Sequence, residues 1–299
     1  ERKRKQKERK GNHIMNVPIP GYPKSTYILN ASMDKYRRHK GDGDMWPLTW
    51  AADDNIYGAA GDNQCSPMNF WRIEGHPDFP VWDPRPSVYL VDNLPLDPKE
   101  YCRRPGVHPL WGIKPASLLG MDGRLYFAVE LMNFGDNPIF NRQRNICAWI
   151  MTSDDFGITW NKTATPEDFF TGRLASPHFL QFGKDYEDAP DSYVYAYFPA
   201  GYDGNSYWEN GDYILLGRVA RGDLLKREAW EFFTGLSDGR PEWCSDDAQA
   251  KPVFEYPAMT GENHVSYNKI IGRYIMGNYG FIGYDGKPYP YHQAGFWNA

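Results

Sequence analysis

Residues 42–62 read DGDMWPLTWAADDNIYGAAGD, and this stretch sets a pattern for the rest of the chain. A short apolar run, an Asp-Asp-Asn turn and a second apolar run predict strand, tight turn and strand. Because a hairpin of this length brings the chain back on itself, we expect Asp44 and Asp62 to lie at the same end. Trp46 and Trp50 stand beside them. Each aspartate also has a plain structural interpretation, since Asp next to Gly is a common turn former.

The layout of this hairpin recurs along the chain. Further copies, with an apolar run, a polar turn or a tyrosine-containing strand, are predicted at 113–130, 177–198, 211–219 and 264–279. Tyr57, Tyr126 and Tyr195 mark three of the strands at equal intervals. Repeated hairpins predict stacked or radial β units, and blades of roughly 40–50 residues favour five of them at this length. We therefore predict an all-β fold, a five-bladed β-propeller with long loops and one or two short helices.

A local motif supports the propeller prediction. Residues 153–160 read SDDFGITW and match the pattern S-x-D-x-G-x-T-W at every fixed position. The motif resembles the Asp-box hairpin of sialidases and other propeller glycosidases. In that hairpin Asp binds backbone N–H groups, Gly takes a positive φ and Trp packs beneath the turn. The motif therefore indicates a propeller hairpin without indicating a substrate.

The composition favours β structure and limits the classes of function. Aromatic residues make up 16% of the 299 residues, and there are 29 glycines and 24 prolines, a turn-rich balance. No run of 18 apolar residues occurs, so we predict no membrane span. The four cysteines and seven histidines lack metal-ligand spacing, so we predict no cofactor and no metal site. Paired acids in turns leave open a structural Ca²⁺.

Charge is unevenly distributed along the chain. Residues 1–10 hold seven Lys or Arg and two Glu, a local charge of +5, while the whole chain carries −5. The remaining residues therefore carry −5 − 5 = −10, which argues against a nucleic-acid partner.

We predict a basic N-terminal arm and irregular lead-in at 1–40, and a single β-propeller catalytic domain at 41–299. We expect a secreted, cell-surface or periplasmic protein, and one clear helix at 224–233 with Asp223 as N-cap.

Candidate site residues follow from the propeller prediction, because the innermost strands of a propeller converge. Polar residues at hairpin ends then meet at the centre although they are far apart in sequence. The residues predicted to bind substrate there are Trp46, Lys114, Glu130, Asp191, Arg218 and His264. Lys114 and Arg218 each interrupt an apolar strand, and such residues usually pair with a carboxylate. Glu262 is a further inward candidate whose alternative is a plain loop position, and Trp208 is a further stacking candidate.

Three segments resemble one known family. They are DMWPLTWAxDxx[IL]YxAxGD at 44–62, GRVxxxxLxxRxAWEFFxG at 217–235 and VSYNxxxGRY at 265–274. They resemble a family of five-bladed β-propeller proteins, formerly of unknown function, that is linked to glycoside hydrolases including endo-acting D-arabinanases. The resemblance implies a glycosidase with a pair of catalytic aspartates in the first hairpin, which fall on Asp44 and Asp62.

We therefore expect a glycoside hydrolase that cleaves a polysaccharide or oligosaccharide. One carboxyl would protonate the leaving oxygen, and the other would activate water or attack the anomeric carbon; a separation of about 5–5.5 Å indicates retention and about 6.5–9.5 Å inversion. Two alternatives stay open. A carbohydrate-binding propeller would have no catalysis, and a polysaccharide lyase would use Tyr, His or Arg on a uronic acid.

Overall fold

A computed structural model describes residues 22–23, 25–29, 47–61, 69–74, 111–133, 143–282 and 291–298. At 69, 111, 279–282 and 291–298 it describes the backbone alone. Asp44, Trp46 and Asp62 lie outside the described residues, as does most of the predicted N-terminal arm.

Within the described residues the fold is all-β, as the sequence predicts. The strands in chain order are β1 Leu48–Trp50, β2 Ile56–Ala60, β3 Asn69–Ile73, β4 Trp111–Met121, β5 Arg124–Asn133, β6 Arg144–Ser153, β7 Phe170–Thr171, β8 His178–Phe179, β9 Tyr193–Ala200, β10 Ser206–Tyr207, β11 Gly211–Ala220, β12 Glu231–Ser237, β13 Arg240–Cys244, β14 Pro252–Thr260, β15 Asn263–Asn268, β16 Arg273–Ile282 and β17 Tyr291–Asn298.

These strands form four sheets in the described part of the chain. The first has the order β1-β2-β3, and the second has the order β10-β6-β5-β4 with β7 also paired to β6. The third has the order β13-β12-β11-β9-β8 with β14 also paired to β11, and the fourth has the order β15-β16-β17. The pairings between these strands are antiparallel, as expected for strands joined by short turns.

The third sheet is curled because β11 has two partners along one edge. β9 pairs with β11 along its length, while the opposite edge pairs first with β14 and then with β12. The pairing with β14 contains two register shifts, at Gly211/Tyr213 and at Ile214/Leu215. Such irregularities bend and twist a strand, which lets one strand serve two partners on the same side.

Burial along β9 shows the period of two that the sequence pattern predicts. Val194, Ala196 and Phe198 are buried, whereas the tyrosines between them are half-buried. The buried face packs against the second sheet through the edge-to-face contact of Phe198 with Phe170, whose ring centroids lie 5.3 Å apart. β5 differs, because all of its residues after Arg124 are buried, as expected for a strand covered on both faces.

Each sheet has one strand that comes first in the chain among its main strands: β1, β4, β8 and β15. Each of these four strands lies beside another of them. The hydroxyl of Thr49 on β1 accepts from the N–H of Gly120 on β4 at 2.8 Å and donates to Oε1 of Gln181 at 2.9 Å. Gln181, which follows β8, then bonds through its backbone to Val265 and Tyr267 on β15, at 3.0 and 2.9 Å. These bonds cross all four sheets and hold β1, β4, β8 and β15 together at their shared centre.

Three turns share one pattern of hydrogen bonds, which we call the turn lock. In each, an aspartate accepts a backbone N–H two residues later and the hydroxyl of a tyrosine four residues later. The sets are Asp53 with Asn55 and Tyr57, Asp191 with Tyr193 and Tyr195, and Asp203 with Asn205 and Tyr207. The recurring tyrosines of the sequence are therefore architectural at Tyr57 and Tyr195.

The hairpin predicted from SDDFGITW is confirmed. The carboxylate of Asp155 accepts the N–H and the hydroxyl of Thr159 at 2.8 and 2.6 Å. Gly157 has a φ of 91°, and a Cβ there would lie 2.4 Å from the ring of Phe70. Trp160 packs edge-on against Phe70 with ring centroids 5.1 Å apart. The motif thus ties the second sheet to β3 of the first.

The helix predicted at 224–233 is wrong. The chain instead makes a 3₁₀ turn at Arg227–Ala229 and enters β12 at Glu231. Trp230 and Phe232 are fully buried and the residues after each are half-buried, which is a period of two. Pairing of β12 with β11 and β13 overrides the local helical spacing, because propensity is a weak constraint beside tertiary contacts.

Helical structure in the described ranges consists of three-residue 3₁₀ turns. They are Gly172–Leu174, Lys184–Tyr186, Arg221–Asp223, Arg227–Ala229 and Asp247–Gln249. None of the helices in these ranges has the length and apolar character needed to cross a membrane.

The described part of the lead-in packs against the third and fourth sheets. Tyr22 stacks on Phe254 of β14 with ring centroids 5.2 Å apart, and its hydroxyl accepts the N–H of Glu255 at 2.9 Å. Tyr27 lies under the guanidinium of Arg273 at 4.2 Å. These contacts connect the segment to β14 and β16, although the predicted boundary at residue 40 stays a prediction.

Candidate functional site

A group of charged and polar side chains lies buried where the first strands meet. Lys114 on β4, Glu130 on β5, Ser176 and His178 at β8, and Glu262 just before β15 form this group, which we call the buried polar cluster. Their exposed fractions are 2%, 0%, 0%, 2% and 7%. Side chains of these types are rarely so buried unless they are paired. The structure thus brings together three sequence candidates, Lys114, Glu130 and Glu262, from elements far apart in the chain.

Lys114 and Glu130 are direct neighbours across the β4–β5 pairing. The ammonium of Lys114 lies 5.1 Å from the ring centroid of Trp208, a cation–π contact. A Cβ on Gly61 would lie 3.2 Å from Cδ and 3.7 Å from Nζ of Lys114. Gly61, which precedes Asp62 in sequence, therefore lies beside the side chain of Lys114.

His178 connects Ser176 with Glu262. Its Nε2 lies 3.0 Å from the hydroxyl of Ser176 and 3.7 Å from Oε2 of Glu262. Its Nδ1 is buried without a hydrogen-bond partner in the described structure. In a Ser-His-acid triad the serine and the acid bond to opposite ring nitrogens. Because both groups approach Nε2 here, the set is not a triad and Ser176 is not an activated nucleophile.

Burial raises the pKa of Glu130 to about 7. The Ser176 hydroxyl, the charge of Lys114 and the Glu262 carboxyl act in the opposite direction through weaker contacts. Within the described residues, neither oxygen of Glu130 has a partner at full hydrogen-bond geometry. Desolvation therefore outweighs the neighbouring cation, and the carboxyl can hold a proton near neutral pH.

The two histidines of the site are both kept neutral. Burial lowers the pKa of His178 to about 3, and the nearby His264 contributes to the shift. Their rings lie edge to face with centroids 6.3 Å apart. Burial also lowers the pKa of His264, although its side chain is exposed by surface area. His264 is therefore exposed to solvent while its ring lies next to that of His178, at the edge of the buried polar cluster.

A further polar layer surrounds the cluster. Nδ2 of Asn145 on β6 donates to Ser206 on β10 at 3.2 Å, and the N–H of Glu262 donates to the carbonyl of Trp208 at 3.0 Å. Oδ1 of Asn145 and Oδ1 of Asn263 are buried without a partner in the described structure. Buried acceptors of this kind usually bind water or ligand, so this layer can take hydroxyl groups.

No group of three or more His, Cys, Asp or Glu side chains among the described residues is placed to hold a metal ion. The chemistry that the described site supports is therefore argued from its carboxyl, hydroxyl, imidazole and ammonium groups.

Arg218 and Asp191 lie apart from the buried polar cluster. The Arg218 guanidinium is stacked between Tyr193 and Trp243 at 4.2 and 4.1 Å and donates from Nε to Glu231 at 3.0 Å. Asp191 is exposed and belongs to the turn lock with Tyr195. Both side chains have structural partners, and the structure gives no contact between either residue and the cluster.

Sequence reasoning missed Ser176 and His178. They lie at alternate positions just before and within β8, so their side chains share one face of that strand. Two polar residues at this spacing in the first strand of a repeated hairpin are the signal that could have identified them. Glu262 was considered beside a plain loop alternative, and its burial and its contact with His178 favour the inward position.

Comparisons with known proteins give distant structural similarity. No protein-family model and no curated protein matches the chain. A Bacteroides ovatus structure provisionally named a hydrolase is similar at a TM-score of 0.49 and 13% identity, over 84% of this chain and 69% of that one. A structure named glycoside hydrolase is similar at a TM-score of 0.38 and 12% identity, over 63% of this chain and 54% of that one. At these values the similarities transfer no residue role.

Proposed function

We propose that this protein is a glycoside hydrolase that cleaves a polysaccharide or oligosaccharide. Asp44 and Asp62 form the acid–base pair, one protonating the leaving oxygen and the other activating water or attacking the anomeric carbon. The buried polar cluster supplies charged groups near the end of the first hairpin, at Gly61. His264 and the aromatic side chains near the centre contact the sugar.

The observation that carries the proposal is the position of Gly61 beside the side chain of Lys114, where an added Cβ would lie 3.7 Å from the ammonium. It connects the end of the first hairpin, which leads into Asp62, with the place where the four first strands meet. A cation at this position stabilises the carboxylate form of a neighbouring acid. The protonatable carboxyl of Glu130 on the next strand adds a second acid–base group to the same region.

We also propose that the complete fold is a five-bladed β-propeller in the secreted, cell-surface or periplasmic compartment. Four antiparallel sheets with adjacent first strands, and the confirmed Asp-box hairpin, support blades around a centre. The number five rests on the sequence resemblance and on the spacing of the repeated hairpins.

The proposal is tested by incubating the protein with a panel of plant and bacterial polysaccharides, arabinans included, and measuring new reducing ends. Asp44→Asn and Asp62→Asn should each lower the rate about 10²- to 10⁴-fold, because each removes a proton-transferring group. Asp238→Asn is the matched control. It makes the same chemical change at an exposed turn with a φ of 51°, which Asn also accepts.

The other outcomes separate the alternatives. Products that absorb in the ultraviolet from a new carbon–carbon double bond would establish a lyase and exclude hydrolysis. Saturable binding to a polysaccharide, with no product and no effect of either substitution, would establish a carbohydrate-binding protein instead.

A further inference from the structure

We infer that the turn between β15 and β16, together with the neighbouring lead-in, is a docking surface for a bilayer that contains anionic phospholipid. Its apolar part consists of Tyr27, Leu29, Ile270 and Ile271, which we call the apolar patch. Arg273 and the basic segment 1–10 supply positive charge beside it. This surface does not depend on the proposed glycosidase activity, because it shares no residue with the buried polar cluster.

The apolar patch holds the three most exposed large apolar side chains of the described residues. Ile270 is 89%, Leu29 85% and Tyr27 70% exposed, and Ile271 adds a fourth side chain at 45%. Single apolar side chains scattered over a surface are ordinary, whereas a group of them marks an interaction site. The exposure of these side chains therefore points to a partner.

Arg273 brings the two segments of the apolar patch together. Its guanidinium, at the start of β16, lies 4.2 Å from the ring centroid of Tyr27. Ile271 comes two residues before Arg273, and Leu29 comes two residues after Tyr27, and two residues span at most about 7 Å. Side chains that are far apart in sequence therefore belong to one surface.

The turn that carries the two isoleucines is held by its own polar groups. Oδ1 of Asn268 accepts the N–H groups of Ile270 and Ile271 at 3.1 and 3.3 Å. The guanidinium of Arg273 donates to the carbonyl of Gly272 at 2.9 Å. Turns ordinarily carry polar residues at their exposed positions. Here the polar groups bond within the turn and the exposed positions are apolar.

The charge at the apolar patch favours an anionic partner. Among the described residues, Arg273 contacts the ring of Tyr27 and the carbonyl of Gly272, and no acidic side chain forms an ion pair with it. Lys269 does form an ion pair, with Asp188 at 3.1 Å, so these two charges offset each other. Arg273 therefore leaves a positive charge at the patch.

The basic N-terminal segment supplies more positive charge. Residues 1–10 carry +5, and residues 11–21 connect them to Tyr22. Tyr22 is bound to β14 through the ring of Phe254 and the N–H of Glu255. Eleven residues span at most about 40 Å, so the basic segment is tethered within reach of a surface on which the apolar patch lies.

A bilayer with anionic headgroups uses both features. Apolar side chains enter the boundary between headgroups and acyl chains, while basic residues are attracted to the negative surface, and stable binding takes two such signals. A nucleic acid would use the charge without the apolar side chains. A second copy of the chain would cover the apolar side chains without needing the charge.

Binding of the full chain to lipid vesicles tests the inference. One set of vesicles contains equal parts of phosphatidylcholine and phosphatidylglycerol, and the other contains phosphatidylcholine alone. Sedimentation at low salt should show saturable binding to the anionic vesicles and at least about 10-fold weaker binding to the neutral ones. Equal binding to both sets would overturn the anionic chemistry.

The apolar contribution is measured with the double variant Ile270→Ser and Ile271→Ser. Binding to anionic vesicles should fall about 10-fold or more, because both substitutions remove apolar surface that would leave water. Ile158→Ser is the matched control, since it makes the same change at an exposed turn position, 57% exposed, elsewhere on the molecule. It should bind as the wild type does.

The electrostatic contribution is measured by replacing Arg2, Lys3, Arg4 and Lys5 with Gln. This variant removes four positive charges, and its binding at low salt should fall about 100-fold. Hydrogen exchange then locates the contact: amides of residues 268–272 should exchange more slowly on anionic vesicles than in free protein.

Three results would overturn the inference. The wild type does not bind anionic vesicles; the isoleucine double variant binds them as well as the wild type does; or the protein forms concentration-dependent dimers that the same double variant disperses. The last result would assign the apolar patch to a second copy of the chain. The polysaccharide screen is independent of all three, so its failure and the failure of vesicle binding are distinguishable.

Discussion

The pairs Lys114–Glu130 and Arg218–Glu231 have the same layout and different surroundings. Each joins a cation and a glutamate directly across two antiparallel strands, β4–β5 in one case and β11–β12 in the other. Arg218 and Glu231 meet at 3.0 Å with side chains 19% and 41% exposed. Lys114 and Glu130 are 2% and 0% exposed, and the oxygens of Glu130 lack partners at full geometry in the described structure.

The two pairs differ in how far their contacts among the described residues account for their positions. The Arg218 guanidinium is stacked between two rings and bound to a carboxylate, so its contacts account for its position in an apolar strand. The carboxyl of Glu130 is fully buried, and among the described residues neither of its oxygens has a hydrogen-bond partner at full geometry, so its desolvation is less well offset. Such an arrangement persists where another requirement maintains it, and here that requirement is the proposed site.

The largest expected difference between the pairs is in stability. Lys114→Met leaves Glu130 buried without its cation, and at about pH 8 we expect a loss of about 3 kcal/mol of unfolding free energy. Arg218→Met removes stacking and a partly exposed ion pair, and we expect about 1 kcal/mol. Urea unfolding of both variants and of the wild type measures the two losses. Equal losses would show that burial of Glu130 without Lys114 costs no more than loss of the partly exposed Arg218–Glu231 ion pair.

A second prediction concerns how the buried groups Glu130 and His178 make the unfolding free energy depend on pH. The pKa of Glu130 is raised from 4.5 to about 7, so its contribution to stability is lost as pH rises through that range. The pKa of His178 is lowered from 6.5 to about 3, so its contribution increases over pH 3 to 6.5. The two trends oppose each other between pH 4.5 and 6.5.

Glu130→Gln should expose the trend of His178 alone. Between about pH 5 and pH 6.5 its unfolding free energy should rise by about 2 kcal/mol more than that of Glu231→Gln. Urea unfolding at both pH values measures this difference. If the two variants keep parallel pH dependence, the carboxyl of Glu130 is not the group that titrates near neutral pH.

The smallest expected effect comes from the hydrogen bond between Tyr195 and Asp191, which lies near the Arg218–Glu231 pair. Tyr195→Phe removes the 2.6 Å bond to Asp191 and should cost about 0.5–1.5 kcal/mol of unfolding free energy, as for a single hydrogen bond. Thermal unfolding measures the loss. Activity toward any substrate found in the screen should stay at the wild-type level; a raised KM would restore Asp191 as a substrate-binding residue.

Much of the fold was predictable because it repeats. The tyrosine-bearing strands at 125–130, 191–198 and 211–219 were predicted close to their observed bounds, since apolar and β-forming residues between turn signals are a local feature. The sequence could not predict β12, because LLKREAWEFF satisfies helical spacing and period two alike. The choice between them depends on strands β11 and β13, which lie outside any local window.

The candidate site was predictable only in part. Lys114 and Glu130 were identified because charges at strand ends are visible in sequence, and their direct pairing followed from the hairpin. His178 and Ser176 were missed because their partners Glu262 and Glu130 are distant in the chain. The same strand-end argument selected Arg218 and Asp191, which the structure gives local structural partners instead.

The sequence by itself determined the β class, the repeated hairpin and the geometry of the SDDFGITW turn, because each depends on side-chain periodicity and on local bonds between near neighbours. The tertiary structure alone decided which charged side chains are buried and which are exposed to solvent. Burial is a property of everything packed around a residue, so two cross-strand pairs with the same sequence signature became a buried polar cluster at Lys114–Glu130 and a satisfied ion pair at Arg218–Glu231.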